Sequence, residues 1–178
     1  LPPLNREYPH FKRFTGIDAD ILPSGELDYT PDILAQFDFV IGSVHSQFRM
    51  GKAEMTARIL KAMDNPYLTM LGHPTGRILL ERSGYGLDLE RILAGAAEKK
   101  IYLEFNANPY RLDLDWRWCR KAKDLGVLIS INPDAHSTAE LDLARTGVLV
   151  ARKGWLEAKD VLNTRGVGEV EKLLKVKG

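Results

Sequence analysis

Apolar runs with strand character alternate with helix-patterned segments at least five times along this chain, and few architectures accept that rhythm. Parallel strands need long crossovers, which helices supply, so the alternation points to an α/β barrel or a layered parallel sheet with right-handed connections. Strands are predicted near Phe14–Leu22, Phe39–His45, Tyr67–Gly72, Ile101–Asn106 and Gly126–Asn132. In the first of these, the two-residue period puts Asp18 and Asp20 on one face and Ile17, Ala19 and Ile21 on the other. Between them, Met55, Ile59, Leu60 and Met63 define the buried stripe of one helix, and Leu89, Ile92, Leu93 and Ala96 that of another. A third helix is expected over residues 115–125, its Trp116, Trp118 and Cys119 packing against neighbours, with Gly126 as its C-terminal cap. Thr30 and Pro31 mark a helix start. Beyond Ser137 a helix through Arg145 is expected, then a last apolar strand at Gly147-Val148-Leu149-Val150-Ala151, and a final helix over residues 167–176. Residues 1–12 read as a lead-in loop, with His10 on the surface.

What closes these runs is chemically specific. The second ends in His45, the third in His73, and the fifth in Asp134 and His136. In α/β folds the carboxyl ends of parallel strands are where ligands collect. A single histidine at a strand end is more often a hydrogen-bonding cap than a metal ligand. Three of the chain's four histidines in equivalent positions favour a shared site, and imidazole with carboxylate is the ligand set of zinc, manganese or iron. Asp18 is the better ligand of the first strand's two acids. Glu104 lies inside a strand, where an unpaired carboxylate is costly, so nearby donors or a cation are expected and it supports the ligands from behind. Arg77, in the turn after His73, is placed to pair with phosphate.

At 178 residues with 44% hydrophobic content, a single domain over residues 1–178 is expected. A net charge of +1 gives no bulk attraction for nucleic acid, so any such contact needs a local patch. The lone Cys119 cannot form an internal disulfide, which fits a reducing, cytoplasmic setting. No apolar run approaches the roughly 20 residues that cross a bilayer. The start at Leu1, without an initiator Met, reads as a piece of something longer.

The ordered set Gly16-Ile17-Asp18-Ala19-Asp20, Ser43-Val44-His45-Ser46, Gly72-His73-Pro74-Thr75-Gly76-Arg77, Glu104-Phe105-Asn106-Ala107-Asn108-Pro109 and Asn132-Pro133-Asp134-Ala135-His136 resembles the PHP (polymerase and histidinol phosphatase) domain. In particular it resembles the C-terminal PHP domain of bacterial-type family X DNA polymerases. Leu22–Tyr29, Tyr110–Leu114, Lys153-Gly154-Trp155 and Val161–Thr164 extend the likeness over almost the whole chain. The resemblance implies a distorted (β/α)7 barrel with up to three divalent metals, Mn2+ or Zn2+, and phosphoester hydrolysis at its mouth. It puts Asp18, His45, His73, Asp134 and His136 at metal-ligand positions, with Asp18 bridging two ions. Asp134 or His136 would relay a proton, Arg77 or Arg111 would neutralise a phosphoryl oxygen, and Glu104 and Asn108 would support the ligands. For the polymerase branch it implies a DNA 3′ end as substrate, 3′–5′ exonuclease or DNA-end processing in repair, and an N-terminal polymerase domain in the full protein. A small-molecule phosphatase of histidinol-phosphatase type is the first alternative. A catalytically lost, DNA-positioning module is the second, and an amidohydrolase barrel is disfavoured because no strand-end lysine suits a carbamate bridge.

Two departures accompany the likeness. The family has Glu where this chain has Asp18, one methylene shorter. Its opening His-x-His strand is absent, so the chain looks like the last two-thirds or so of the domain, an incomplete barrel. Two expectations follow: weak metal binding by the isolated chain, or an oligomer formed through the open seam.

Overall fold

The computed structural model describes Tyr8 and residues 11–174; His10 and the end of the last predicted helix lie outside the described residues. Five strands, β1 (Gly16–Asp20), β2 (Phe39–Ser43), β3 (Met70–Leu71), β4 (Tyr102–Asn106) and β5 (Ile129–Asn132), form one sheet. Its order is β1-β2-β3-β4-β5, and every neighbouring pair is parallel. A parallel sheet whose spatial order equals its chain order advances in one direction with each crossover, a topology compatible with a barrel. Between the strands lie α1 (Pro31–Leu34), α2 (Lys52–Ala62), α3 (Leu89–Lys99) and α4 (Trp116–Asp124); α5 (Leu143–Lys153) and α6 (Val167–Leu174) follow β5. Val161 adds a single parallel bridge to Ile129 beside β5.

The register divides each strand between two faces. Val40, Leu71, Leu103, Phe105 and Ile129 are buried in the main core together with Met55, Ile59, Ile92 and Leu93 of the helices. The alternate positions, Phe39, Ile41, Met70, Tyr102 and Leu128, form a second apolar cluster capped by Leu162 and by Leu174 of α6. The Tyr102 hydroxyl donates to the Leu173 carbonyl at 2.9 Å, fixing α6 over that face. Towards the strand ends this same face turns polar, because the two-residue period continues it into Asp18, Asp20, Ser43, Glu104, Ser130 and Asn132.

Two predicted elements differ. The strand expected over Tyr67–Gly72 shortens to Met70–Leu71 because Asn65 builds a turn there: its side chain accepts the Tyr67 N–H at 2.9 Å and its carbonyl accepts that of Leu68 at 3.1 Å. The apolar run at Gly147, predicted as a strand, is helical and lies within α5. Its hydrophobic bulk misleads, since Val148 and Leu149 are exposed while the small residues Gly147 and Ala151, four apart, face inward. A Cβ at Gly147 would lie 2.6 Å from both Ala107 Cβ and Ile131 Cγ2, so α5 approaches the sheet as closely as it does only because glycine is there. Gly147→Leu is therefore expected to lower stability by about 3 kcal/mol or more through overpacking, read from urea denaturation. Loss of less than about 1 kcal/mol would mean that the helix does not sit where its glycine permits.

Arg58 of α2 is a buried cation that sequence patterning does not reveal. Its guanidinium donates to the carbonyls of Ile21 and Leu22 (2.9 Å for the latter) and of Ser46 (3.0 Å). It thereby satisfies backbone acceptors where the chain leaves β1 and β2.

Candidate metal centre

The polar strand ends meet at one rim. Asp18, from β1, and His45 and His73, from the loops after β2 and β3, each offer a ligand atom within 4.8 Å of the others. His45 Nε2 lies 3.6 Å from an Asp18 oxygen, and its Nδ1 is hydrogen-bonded to Asp20. A carboxylate on one imidazole nitrogen fixes the ring's orientation and turns the other nitrogen towards the centre, the arrangement that metal-binding histidines use. The His45 and His73 rings meet edge to face, centroids 5.2 Å apart.

His73 is buried, and its Nδ1 has no hydrogen-bond partner. Burial, with the Arg111 charge and His45 beside it, pushes its pKa down to about 4, so the ring is neutral near pH 7. A buried, neutral imidazole nitrogen with nothing to bond is costly unless a cation takes its lone pair. The orphaned nitrogen and the imidazole-carboxylate set together fit a divalent metal. Asp18 loses part of its hydration here, which raises its pKa, while the nearby His45 works the other way.

Glu104 lies beneath the rim. It accepts the His73 backbone N–H at 2.7 Å, Asn132 Nδ2 at 2.9 Å and Asn106 Nδ2 at 3.4 Å, and burial lifts its pKa to about 7. Its grip on the His73 amide matters because His73 has φ 23°, a conformation a non-glycine residue holds only under constraint. Asp134 is a second such residue, at φ 53°. Its carboxylate accepts from Asn106 Nδ2 at 3.0 Å and faces Arg111 Nε at 3.5 Å. Asp18, Ser43, His73, Glu104, Asn132 and Asp134 all line one cavity of about 430 Å3.

The remaining predicted site residues divide. Arg111 NH1 is buried without a partner, an unspent donor beside the cluster. Arg77 is committed elsewhere: it donates to the carbonyls of Arg111 (2.9 Å) and Leu112 and to Asp115 (2.8 Å), tying the loop after β3 to the loop after β4. Asn108 shapes that second loop, its side chain accepting the Tyr110 N–H at 3.0 Å and its carbonyl that of Arg111 at 2.8 Å. His136 is not brought into the cluster. The turn at Asp134 leaves its side chain 80% exposed, with Nδ1 2.9 Å from the Asp134 carbonyl and 4.0 Å from Glu140. Asp20, Asn106 and Asn132 are participants that sequence reasoning passed over. Their signal was available: polar residues on the inward period of otherwise apolar strands.

Asp115, the N-cap of α4, also anchors Arg77. Hydrogen bonds from Arg117 and Arg77 hold its carboxyl well below the usual aspartate range. The folded protein thus keeps the group ionised at pH values where the unfolded chain protonates it. The stabilisation is complete above the ordinary aspartate pKa of about 3.9 and disappears as pH falls through the depressed folded value. Asp115→Ala is expected to cost about 1–2 kcal/mol at pH 7. In urea titrations that deficit should shrink below about pH 4; a deficit unchanged down to pH 2 would contradict this account of the cap.

A parallel sheet with imidazoles and carboxylates gathered at its carboxyl rim is an α/β architecture compatible with a barrel-like fold, and its rim offers a possible metal-binding group. The chain's relatives are consistent with a PHP domain of the kind carried by family X DNA polymerases, which this chain resembles. It is 44% identical over 172 residues to the DNA polymerase/3'-5' exonuclease PolX of Bacillus subtilis, matching 97% of this chain and 30% of that protein. It is 28% identical to a probable phosphatase of Thermoanaerobacter sp. (91% of this chain, 67% of the relative). To a probable phosphatase of Caldanaerobacter subterraneus it is 27% identical (91% and 65%). The chain thus spans about a third of the first relative and about two thirds of the others. No protein-family model matches it. Among the described residues, no helix is long and apolar enough to cross a membrane.

Proposed function

We propose that the chain is the phosphoesterase part of a family X-type polymerase, hydrolysing the terminal phosphodiester of a DNA 3′ end with a divalent metal, Mn2+ or Zn2+. The observation that carries this reading is buried His73, whose Nδ1 has no hydrogen-bond partner and which offers a ligand atom within 4.8 Å of those of Asp18 and His45. Those three residues would hold the ion, with Asp134, which lines the same cavity as Asp18 and His73, as a further ligand. A divalent cation there supplies Lewis-acid polarisation of a phosphoryl oxygen and acidifies water. Arg111 NH1 donates to a non-bridging oxygen and offsets the charge that grows on phosphorus. Asp134, oriented by Asn106, takes the proton of the attacking water, and Glu104 keeps His73 in place throughout. His136, exposed beside the cavity, is assigned to a further ion or to the leaving group's proton only once substrate draws its loop inward. Arg77 serves the substrate through Arg111, whose backbone it holds.

In this reading the sheet is part of a (β/α)7 barrel, and the free edge of β1 is where further strands or a second copy would pair. An upstream polymerase domain and a role in repair belong to the same proposal. The identity to PolX and the likeness to probable phosphatases support it jointly. Those phosphatases also favour a second reading, hydrolysis of small phosphomonoesters at the same cluster. With Mn2+ present, a labelled oligonucleotide and p-nitrophenyl phosphate should be compared. Stepwise shortening of the oligonucleotide from its 3′ end is the expected result; hydrolysis of the monoester alone would establish the second reading instead.

A further inference from the structure

The loops that carry His45 and His73 continue past the metal cluster and face each other again. Residues 47–50 and 82–86 enclose an open groove of about 840 Å3. Arg49 and Arg82 line it, and no carboxylate does. The rings of Phe48 and Tyr85 are parallel to within 10°, centroids 6.1 Å apart. The Arg82 guanidinium lies 4.3 Å from the Phe48 ring centre and is held there by hydrogen bonds to the Gly76 carbonyl (2.9 and 3.1 Å). Arg49 is exposed, and no carboxylate pairs with it among the described residues.

The groove is coupled to the cluster by short, rigid links. The Tyr85 hydroxyl donates to the carbonyl of Pro74, the residue after His73, at 2.9 Å. A Cβ at Gly76 would lie 2.5 Å from the Tyr85 ring, so the turn after His73 closes directly against that wall. On the other side, Arg58 pins the carbonyl of Ser46, next to His45. Whatever occupies the groove is therefore held in register with the cluster.

A flat guanidinium on an aromatic ring, next to a cation with no ion-pair partner among the described residues and with no carboxylate in the groove lining, suits a ligand that carries both a π-face and a negative charge. Nucleotides in a single strand have both: bases stack on aromatic and guanidinium planes while arginines pair with the backbone. The geometry points to this groove as the subsite for the nucleotide next to the one being cleaved from a single-stranded DNA end. Its base lies against the Arg82–Phe48 stack and its phosphate pairs with Arg49, an assignment that rests on the phosphoesterase reading above.

Binding without turnover separates the two claims. Anisotropy of a fluorescently labelled single-stranded thymidine oligonucleotide, in EDTA, should be titrated with the 178-residue chain and with Arg49→Ala, Arg49→Glu and Phe48→Leu. Circular dichroism checks that each variant is folded, and Arg49, being exposed, carries the test if Phe48→Leu is not. The chain is expected to bind, Arg49→Glu to bind at least tenfold more weakly, and Arg49→Ala to lower the salt dependence by about one counterion. No binding by the chain, or equal binding by Arg49→Glu, overturns the subsite. Arg49-dependent binding with no hydrolysis of any phosphoester in Mn2+ leaves the subsite standing and overturns the phosphoesterase reading.

Discussion

Replacing His73 with alanine is expected to abolish stabilisation of the protein by divalent metal while changing the metal-free stability little. The side chain is buried, but its Nδ1 bonds to nothing, so the packing lost is set against the removal of an unsatisfied polar atom. With metal the balance is different. Saturation at a hundred times the dissociation constant stabilises a folded protein by about 2.7 kcal/mol, and removing one of a few protein ligands weakens affinity by roughly a hundredfold or more. Thermal melts with and without Mn2+ should therefore separate for the parent chain and coincide for His73→Ala. Equal metal-induced shifts in both would mean that the ion binds elsewhere.

The second large effect is expected at Glu104. Glu104→Ala deprives the His73 and Asn132 donors of their acceptor inside the protein, a loss of about 2–4 kcal/mol by the cost of unsatisfied buried groups. Glu104→Gln keeps the shape and one acceptor but cancels the charge. It should lose less stability, yet still weaken metal binding about 10–100-fold, because a partner that orients a ligand tunes its affinity. Stability and affinity thus part company in the glutamine variant. If they fell together in both variants, Glu104 would be acting only as a structural brace.

The sheet could be read from the chain wherever apolar runs were bounded by turn residues, as at Phe39–Ser43 and Tyr102–Asn106. The run at Gly147 failed because hydrophobicity weights Val148 and Leu149, whereas packing uses the smallness of Gly147 and Ala151. Asp18, His45 and His73 were legible because strand ends converge by topology, whatever the loops do. The outward direction of the His136 side chain was not, since it depends on the turn at Asp134, which spacing does not encode. The partners of Arg77 were hidden for a similar reason: the carbonyls and Asp115 that it bonds come from a loop more than thirty residues away.

That the rims of β1, β2 and β3 share one cation is tested most directly by anomalous diffraction from crystals soaked in zinc. The expected result is a peak about 2.0–2.2 Å from an Asp18 oxygen and from one imidazole nitrogen each of His45 and His73. A peak at His136 and Glu140 alone, or none at the three residues under saturating zinc, would contradict it.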